Sequence, residues 1–397
     1  MVVRLEGGRA MGHRAGSWKV AVGTACGAWL ALASPFVVAD TQTPPIDVST
    51  AGGSGRPPPV EEKMVTGFGL KLEEDKFLDF PVARSLGTNM DRNYTGGGAI
   101  SSSGRWVHAA YLDAPLRILD LLLFIPKYAH DHGFRDTHTF SFGVTAFTPL
   151  DVASTQVVSD DRPYGSLAFL AVSHLSVNHA DTVAVTSDFT FGMLGLHMGD
   201  WVQTTIHEHL GYQTPQGWSH QISEGGEPTA RYGLGIQWRP EWADRLRWAD
   251  LTGSLKGEAG YFTGAAAGLT ARLGCINSDP WQFAENSMRT TNEAGPKCRW
   301  KVGGHLAEAF VWGTARGRVV GYNALLQGQT QPSDYTLPSD RINRLLGEYE
   351  LGVTLSLYRV RASWLPVIGR TAEFSGPLAR THTWGSLFLG FDGTFGT

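Results

Sequence analysis

From Met64 onward the chain repeats one pattern: apolar and polar residues alternate over a run of about ten positions, and then a turn intervenes. Phe140, Phe142, Val144 and Ala146 alternate with Ser141, Gly143 and Thr145. Tyr232, Leu234, Ile236 and Trp238 alternate with Arg231, Gly233, Gly235 and Gln237. The same period recurs at 183–193, 254–261, 269–273, 348–357 and 387–395. A period of two means strands with two chemically different faces. A soluble sandwich also alternates. Three details favour a transmembrane antiparallel barrel. Runs of about ten residues match a tilted crossing of the bilayer. One face is apolar throughout while the other is polar, charged or glycine. Trp and Tyr recur near run ends, as in interfacial girdles. The expected fold is all-β, with about twelve strands and short helices in loops, an even count that returns both termini to the periplasm.

The chain before the barrel fits that destination. Arg4, Arg9, Arg14 and Lys19 precede the Ala-rich apolar run Val20 to Ala39, and Val37-Val38-Ala39 offers a cleavage site before Asp40. Residues 1–39 are therefore expected to be a signal peptide. Residues 40–63, rich in Pro, Gly, Ser and Thr, read as a disordered periplasmic linker. Residues 64–397 form the barrel domain. The whole chain has a net charge of −4, which gives no electrostatic support for binding nucleic acid. Of three cysteines, Cys26 falls in the signal, and Cys275 and Cys298 are expected to pair in an oxidising compartment. Closing that loop stabilises by roughly 3 kcal/mol in the chain-entropy model.

Two segments break the alternation. Pro115 to Pro126, PLRILDLLLFIP, is too continuously apolar for a lipid-exposed strand and reads as a short helix or packed turn. The other is Gly192 to Pro228, which contains QTTIHEHLGYQTPQGWSHQ. Gln203 and His207 lie four apart, on one face of a helix. Gly211 suits a helix stop, and Pro215 with Gly217 sets a turn before the aromatic Trp218. On spacing alone this is equally a surface loop with a capping histidine. His207-Glu208-His209 is not a zinc motif, because the second His is two residues on and faces away. Gly217-Trp218-Ser219-His220 is not a serine-nucleophile elbow. Counting strands from the periplasm puts three polar clusters on one outward rim: Glu73-Glu74-Asp75 with Asp91 to Gly97, Asp160 to Tyr164, and the Gln203–Trp218 stretch. Lys256, Glu258, Arg231, Arg272, Glu348 and Glu350 read instead as a hydrogen-bonded lumen.

At these clusters the chain resembles the outer-membrane lipid A 3′-O-deacylase (LpxR) family. EEDKF at Glu73 to Phe77 followed by DRNYTGG, DRPYGSLAFL at Asp161 to Leu170, the Gln203 to Gln221 stretch, and TAEFSG at Thr371 to Gly376 carry the resemblance in order. It implies a twelve-stranded barrel that hydrolyses the 3′-linked acyloxyacyl ester of lipid A with the help of Ca²⁺. Carried over by position, His207 is the general base and Gln203 its companion. Thr95 is the motif threonine and Asp75 the acidic partner. Glu74 and Asp75 are the expected metal ligands, and Arg162 and Trp218 the expected substrate contacts. The family usually has Asn where this chain has Glu74, a change that strengthens cation binding or opposes a developing oxyanion. No ligand role is carried over to Gln213, which stands where at least one family member has Glu. The partners implied are lipopolysaccharide and the outer membrane, with a monomeric enzyme. Readings from other classes are a channel or structural barrel and an outer-membrane phospholipase.

Overall fold

The computed structural model describes residues 65–74, 93–125, 134–210, 213–240, 242–243, 246–283, 298 and 300–392. Twelve antiparallel strands close on themselves. In chain order they are β1 (Gly67–Glu74), β2 (Asn93–Ser103), β3 (Phe134–Thr148), β4 (Gly165–Asn178), β5 (Val183–Leu194), β6 (Glu227–Trp238), β7 (Ala249–Gly260) and β8 (Phe262–Cys275). After the two-residue β9 (Lys301–Val302) come β10 (His305–Asn323), β11 (Leu345–Leu357), β12 (Val360–Arg370) and β13 (His382–Asp392). Each barrel strand pairs with its sequence neighbour, β8 pairs with β10, and β13 returns to β1 to seal the cylinder. Closure leaves no unpaired edge in the wall.

The alternation read from the sequence becomes the two sides of this wall. Phe68, Leu170, Phe191, Leu255, Leu269, Val311, Leu351, Leu355 and Phe391 all point outward and are exposed. A water-soluble protein does not expose such a belt; lipid is the solvent that suits it. Among the described residues no helix is long and apolar enough to cross a membrane. Pro366 lies inside β12, where the pairing with β13 shifts between Leu365 and Ile368. A residue without an N–H is tolerated at such an irregularity.

Inward-facing residues fill the lumen with charge. Arg318 bonds Glu258 at 2.8 Å and Glu348 at 3.1 Å, Arg231 bonds Glu258 at 2.8 Å, and Lys256 bonds Asp188 at 2.9 Å. Arg316 joins Glu348 and Glu350. This is the network expected from the alternation, except that Arg272 binds Asp250 separately, near the lower rim. A cavity of about 340 Å³ remains among these groups. Apolar clusters lie towards its two ends. Leu167, Leu194 and Tyr261 pack with Ala324 and Leu325 of the short helix α4 (Ala324–Gln327) at the top. Trp281 packs with Leu175, Val177 and Ala184 at the bottom. Arg318→Met is expected to cost about 3 kcal/mol, because it removes the buried cation shared by Glu258 and Glu348 and leaves each with less compensating charge. The temperature at which the folded band converts in heat-modifiability gels should drop accordingly.

The upper rim carries long loops and the lower rim carries both chain ends of the barrel. On the lower side Cys275, the last residue of β8, is disulfide-bonded to Cys298, with Cα atoms 5.2 Å apart. The PLRILDLLLFIP segment forms α2 (Ala114–Leu122), preceded by the single turn α1 (Trp106–Ala109). Pro115 enters at the first turn, where its missing N–H costs no hydrogen bond. The proposed signal and linker, and Asp75, lie outside the described residues.

Candidate active site on the upper rim

The Gln203–His207 spacing does lie on a helix, α3 (Met198–Leu210). Gly211, expected as its stop, lies outside the described residues. Strand β5 leaves the wall through Gly195, whose φ of +70° suits glycine. A Cβ there would stand 1.8 Å from the Ser223 carbonyl oxygen. The two legs of the 195–226 excursion therefore cross at Gly195, where Gly225 N–H donates to its carbonyl at 3.2 Å.

Helix α3 rests against the outside of the barrel. Leu170 is exposed on β4, so Ala168 and Ser166 share its outward face. Yet Ser166 is buried, because Gly199 of α3 approaches so closely that a Cβ would meet the Ser166 Cβ at 2.7 Å. Ser166 Oγ lies 2.8 Å from the Leu196 carbonyl oxygen, to which it can donate, and 2.9 Å from the Gln221 side-chain amide, tying the start and end of the excursion to β4. Trp218, in the short turn Trp218–His220, packs on Tyr164 and on outward Ala146.

Within this packing the proton-handling groups are fixed. His207 is 1% exposed and its Nδ1 lies 2.5 Å from the Gln213 carbonyl oxygen. A carbonyl only accepts, so Nδ1 carries the proton and the basic lone pair is on Nε2. Trp218 Nε1 donates to Gln203 Oε1 at 3.0 Å. Indole N–H is donor-only, which orients the amide and turns Gln203 Nε2 the other way. That NH₂ group is buried and has no hydrogen-bond partner among the described residues. An unpaired buried donor is costly unless something accepts from it.

Strand register adds the third component. Glu74, Gly96, Ala146 and Ser166 are successive cross-strand partners from β1 to β4. They form one row on the outward face, running from the Glu74 carboxylate to the floor beneath α3. Gly96 leaves the row open: a Cβ there would lie 3.3 Å from Glu74 Oε2. Glu73 points the opposite way, into the lumen, and pairs with Lys71 at 2.8 Å. Thr95 is the extra residue where the β2–β3 register shifts between Tyr94 and Gly96, a β-bulge next to this row. The donor chemistry available at Glu74, a carboxylate at a strand end beside main-chain carbonyls, fits a hard oxygen-seeking divalent cation.

Arg162 belongs to the other side of the wall. It stacks 4.2 Å over inward-facing Phe147 and bonds Glu373 at 3.3 Å. Burial lowers its pKa to about 10 against the pull of Glu373 and Asp161. Neighbouring Asp161 pairs with Arg380 at 2.8 Å and accepts from Leu150 N–H. A phosphate would have to displace Glu373 to reach Arg162.

Sequence reasoning did not single out Ser166, Gln221 or His220. His220 Nδ1 lies 2.6 Å from Asp334 and Nε2 lies 3.1 Å from the Thr155 carbonyl. Both partners accept, so the ring is an imidazolium, and the Asp334 hydrogen bond raises its pKa above the ordinary 6.5. It clamps the Trp218 turn to two other loops. Because the folded-state pKa is the higher one, this stabilisation is complete below pH 6.5 and is lost as pH rises through the raised value. Thermal unfolding of the wild type should fall across the neutral-to-alkaline range, and Asp334→Asn should flatten that slope.

A closed barrel with an apolar outer wall, bearing a His–Gln helix on that wall at the loop-rich rim, defines an outer-membrane protein with a polar site at the lipid boundary. The family described as outer membrane protein LpxR matches residues 63–392, so the chain belongs to the LpxR family and to the outer membrane. LpxR from Salmonella typhimurium has the same fold, with a TM-score of 0.61 and 16% identity over 83% of this chain and 100% of that one. The β domain of the Bordetella autotransporter BrkA aligns at a TM-score of 0.38 and 9% identity, over 83% of this chain and 99% of that one. No curated protein sequence matches.

Proposed function

We propose that the protein is a lipid A deacylase that hydrolyses the 3′-O-linked acyloxyacyl ester in the outer leaflet, with Ca²⁺ as cofactor. The observation that carries this reading is the pairing of His207, with Nε2 as its basic nitrogen, and Gln203, with a buried unpartnered NH₂, on the lipid side of the upper rim. Lipid A presents its esters at that height, to the outside of the barrel rather than to its lumen.

Ester hydrolysis needs a base near neutral pH and a donor for the oxyanion. His207 Nε2 takes the proton from the attacking water, and the Gln213 carbonyl stabilises the resulting imidazolium through Nδ1–H. The same imidazolium then returns the proton to the departing sugar 3′-oxygen. Gln203 Nε2 is a ready donor for the tetrahedral oxygen, held in direction by Trp218. Glu74 and Asp75 are the residues that would hold Ca²⁺, and the ion when bound supplies positive charge for the ester carbonyl. Thr95, the residue at the bulge, is assigned to orient substrate or water. Arg162 supports the mouth from within, through Glu373.

The lumen, crossed by ion pairs and flanked by apolar clusters, supports a hydrolase over a channel, which needs a wide water path. Mass spectrometry of lipid A from cells with and without the protein tests the proposal. Loss of the 3′-linked acyloxyacyl mass is expected. Unaltered lipid A beside folded protein in the outer membrane would defeat it, and altered glycerophospholipids instead would point to a phospholipase.

A further inference from the structure

On the lower half of the barrel the outward face departs from its apolar rule. By register with exposed Leu170 and Phe191, the residues His138, His174, Ser176 and Ser187 all point outward from β3, β4 and β5. Asp136, opposite Ser176, does the same. Facing acyl chains, such a group of polar side chains would be costly. His138, His174 and Ser187 do not face acyl chains, because α1 and α2 fold back over them, while Asp136, 47% exposed, lies close to the lower strand ends.

The contacts are specific. Asp120 of α2 is buried and accepts from Ser187 Oγ at 2.7 Å and from the hydroxyl of outward Tyr232 at 2.9 Å. His108 Nδ1 lies 2.8 Å from Asp113, which also faces His138, itself stacked at 4.7 Å on His174. Val107 and Leu116 fill the space against Val172. Trp106 Nε1 donates to Ser102 Oγ on β2 at 3.0 Å.

The helix therefore sets Asp120 beside Leu116 on its protein-facing side and turns an apolar face away from it. Ile118, Leu121, Leu122, Leu123 and Phe124 are 62%, 66%, 67%, 50% and 73% exposed. Every charged group of α2 is turned to the seam or pinned at its first turn, where Arg117 pairs with Asp113. That is the reverse of a helix on a soluble protein. Its apolar face continues the band formed by Leu170 and Phe191 on the strands beside it. Ser187 lies four residues into β5, which begins at Val183. At usual strand rise and tilt this places the Asp120 anchor roughly 10 Å above the strand end, at the depth of the headgroup–acyl boundary.

We propose that α1–α2 is an in-plane membrane helix clamped to the outside of the barrel, with its exposed face dissolved among the acyl chains of the periplasmic leaflet. The seam converts a polar stretch of wall into a lipid-compatible one. It also gives the barrel a protrusion that displaces lipid on one side only, directly below the strands on which α3 rests.

Single cysteines placed at Leu121 and Phe124 in the full chain, with the native disulfide kept oxidised, can be labelled with bimane. The protein is then reconstituted in phosphatidylcholine vesicles with brominated acyl chains. A label at Phe191 serves as the lipid-facing reference and one at Lys301 as the aqueous reference. Heat-modifiable migration confirms folding. Quenching by bromolipid at Leu121 and Phe124 to the extent seen at Phe191, with protection from iodide, is the expected result. Quenching by iodide as at Lys301 would overturn the proposal. Protection from both quenchers would overturn it too, by showing that protein such as a second copy covers this face.

Discussion

Replacing His207 with alanine is expected to lower the deacylation rate by roughly 10²–10⁴-fold, the range that a positioned general base contributes. The fold should survive, because His207 is on a helix applied to the outside of the wall and takes no part in strand pairing. The control is His207→Gln, which keeps a donor for the Gln213 carbonyl but has no basic nitrogen. Both variants should migrate as folded barrels in unheated gels and both should be inactive. Activity in either, measured as release of the acyloxyacyl chain in detergent–lipid micelles, would remove the imidazole from the chemistry. An inactive alanine variant beside an active glutamine variant would reassign His207 to holding the 213–217 turn in place.

Chelation should have an effect of similar size. EDTA is expected to reduce the rate to background, and added Ca²⁺ to restore it. Glu74→Gln should raise the Ca²⁺ concentration needed, because ligand charge sets affinity at such sites. Glu74 is the informative position, since the family usually has Asn there. If its carboxylate serves the cation, the variant loses apparent Ca²⁺ affinity. If it opposes the oxyanion, the variant turns over faster at saturating Ca²⁺. A rate indifferent to both EDTA and Ca²⁺ would exclude the ion.

Much of the fold was open to reading from the chain itself. Strand length and a strict period of two reported the barrel, because every residue in a membrane wall must suit either lipid or lumen. The i, i+4 spacing of Gln203 and His207 allowed the helix found there, and PLRILDLLLFIP, read as a short helix or packed turn, is helical. What the alternation could not report is which outward positions meet lipid and which lie beneath a covering helix. Ser166, Ala146, His174 and Ser187 all obey the same period, yet none of the four faces the bilayer freely. Arg162 shows the same limit from inside: its motif adjoins the site in sequence, but its guanidinium stacks on Phe147 within the mouth.

The sequence by itself determined the strands, their number and the side of the wall each residue takes, because those follow from local period and the demand that backbone groups be paired in lipid. Only the tertiary structure decided that Glu74, Gly96, Ala146 and Ser166 fall in one row. It alone decided that Trp218 aims Gln203 and that Gln213 fixes the proton on His207. Such pairings depend on barrel closure and on where long loops fold back, and neither leaves a periodic trace in the chain.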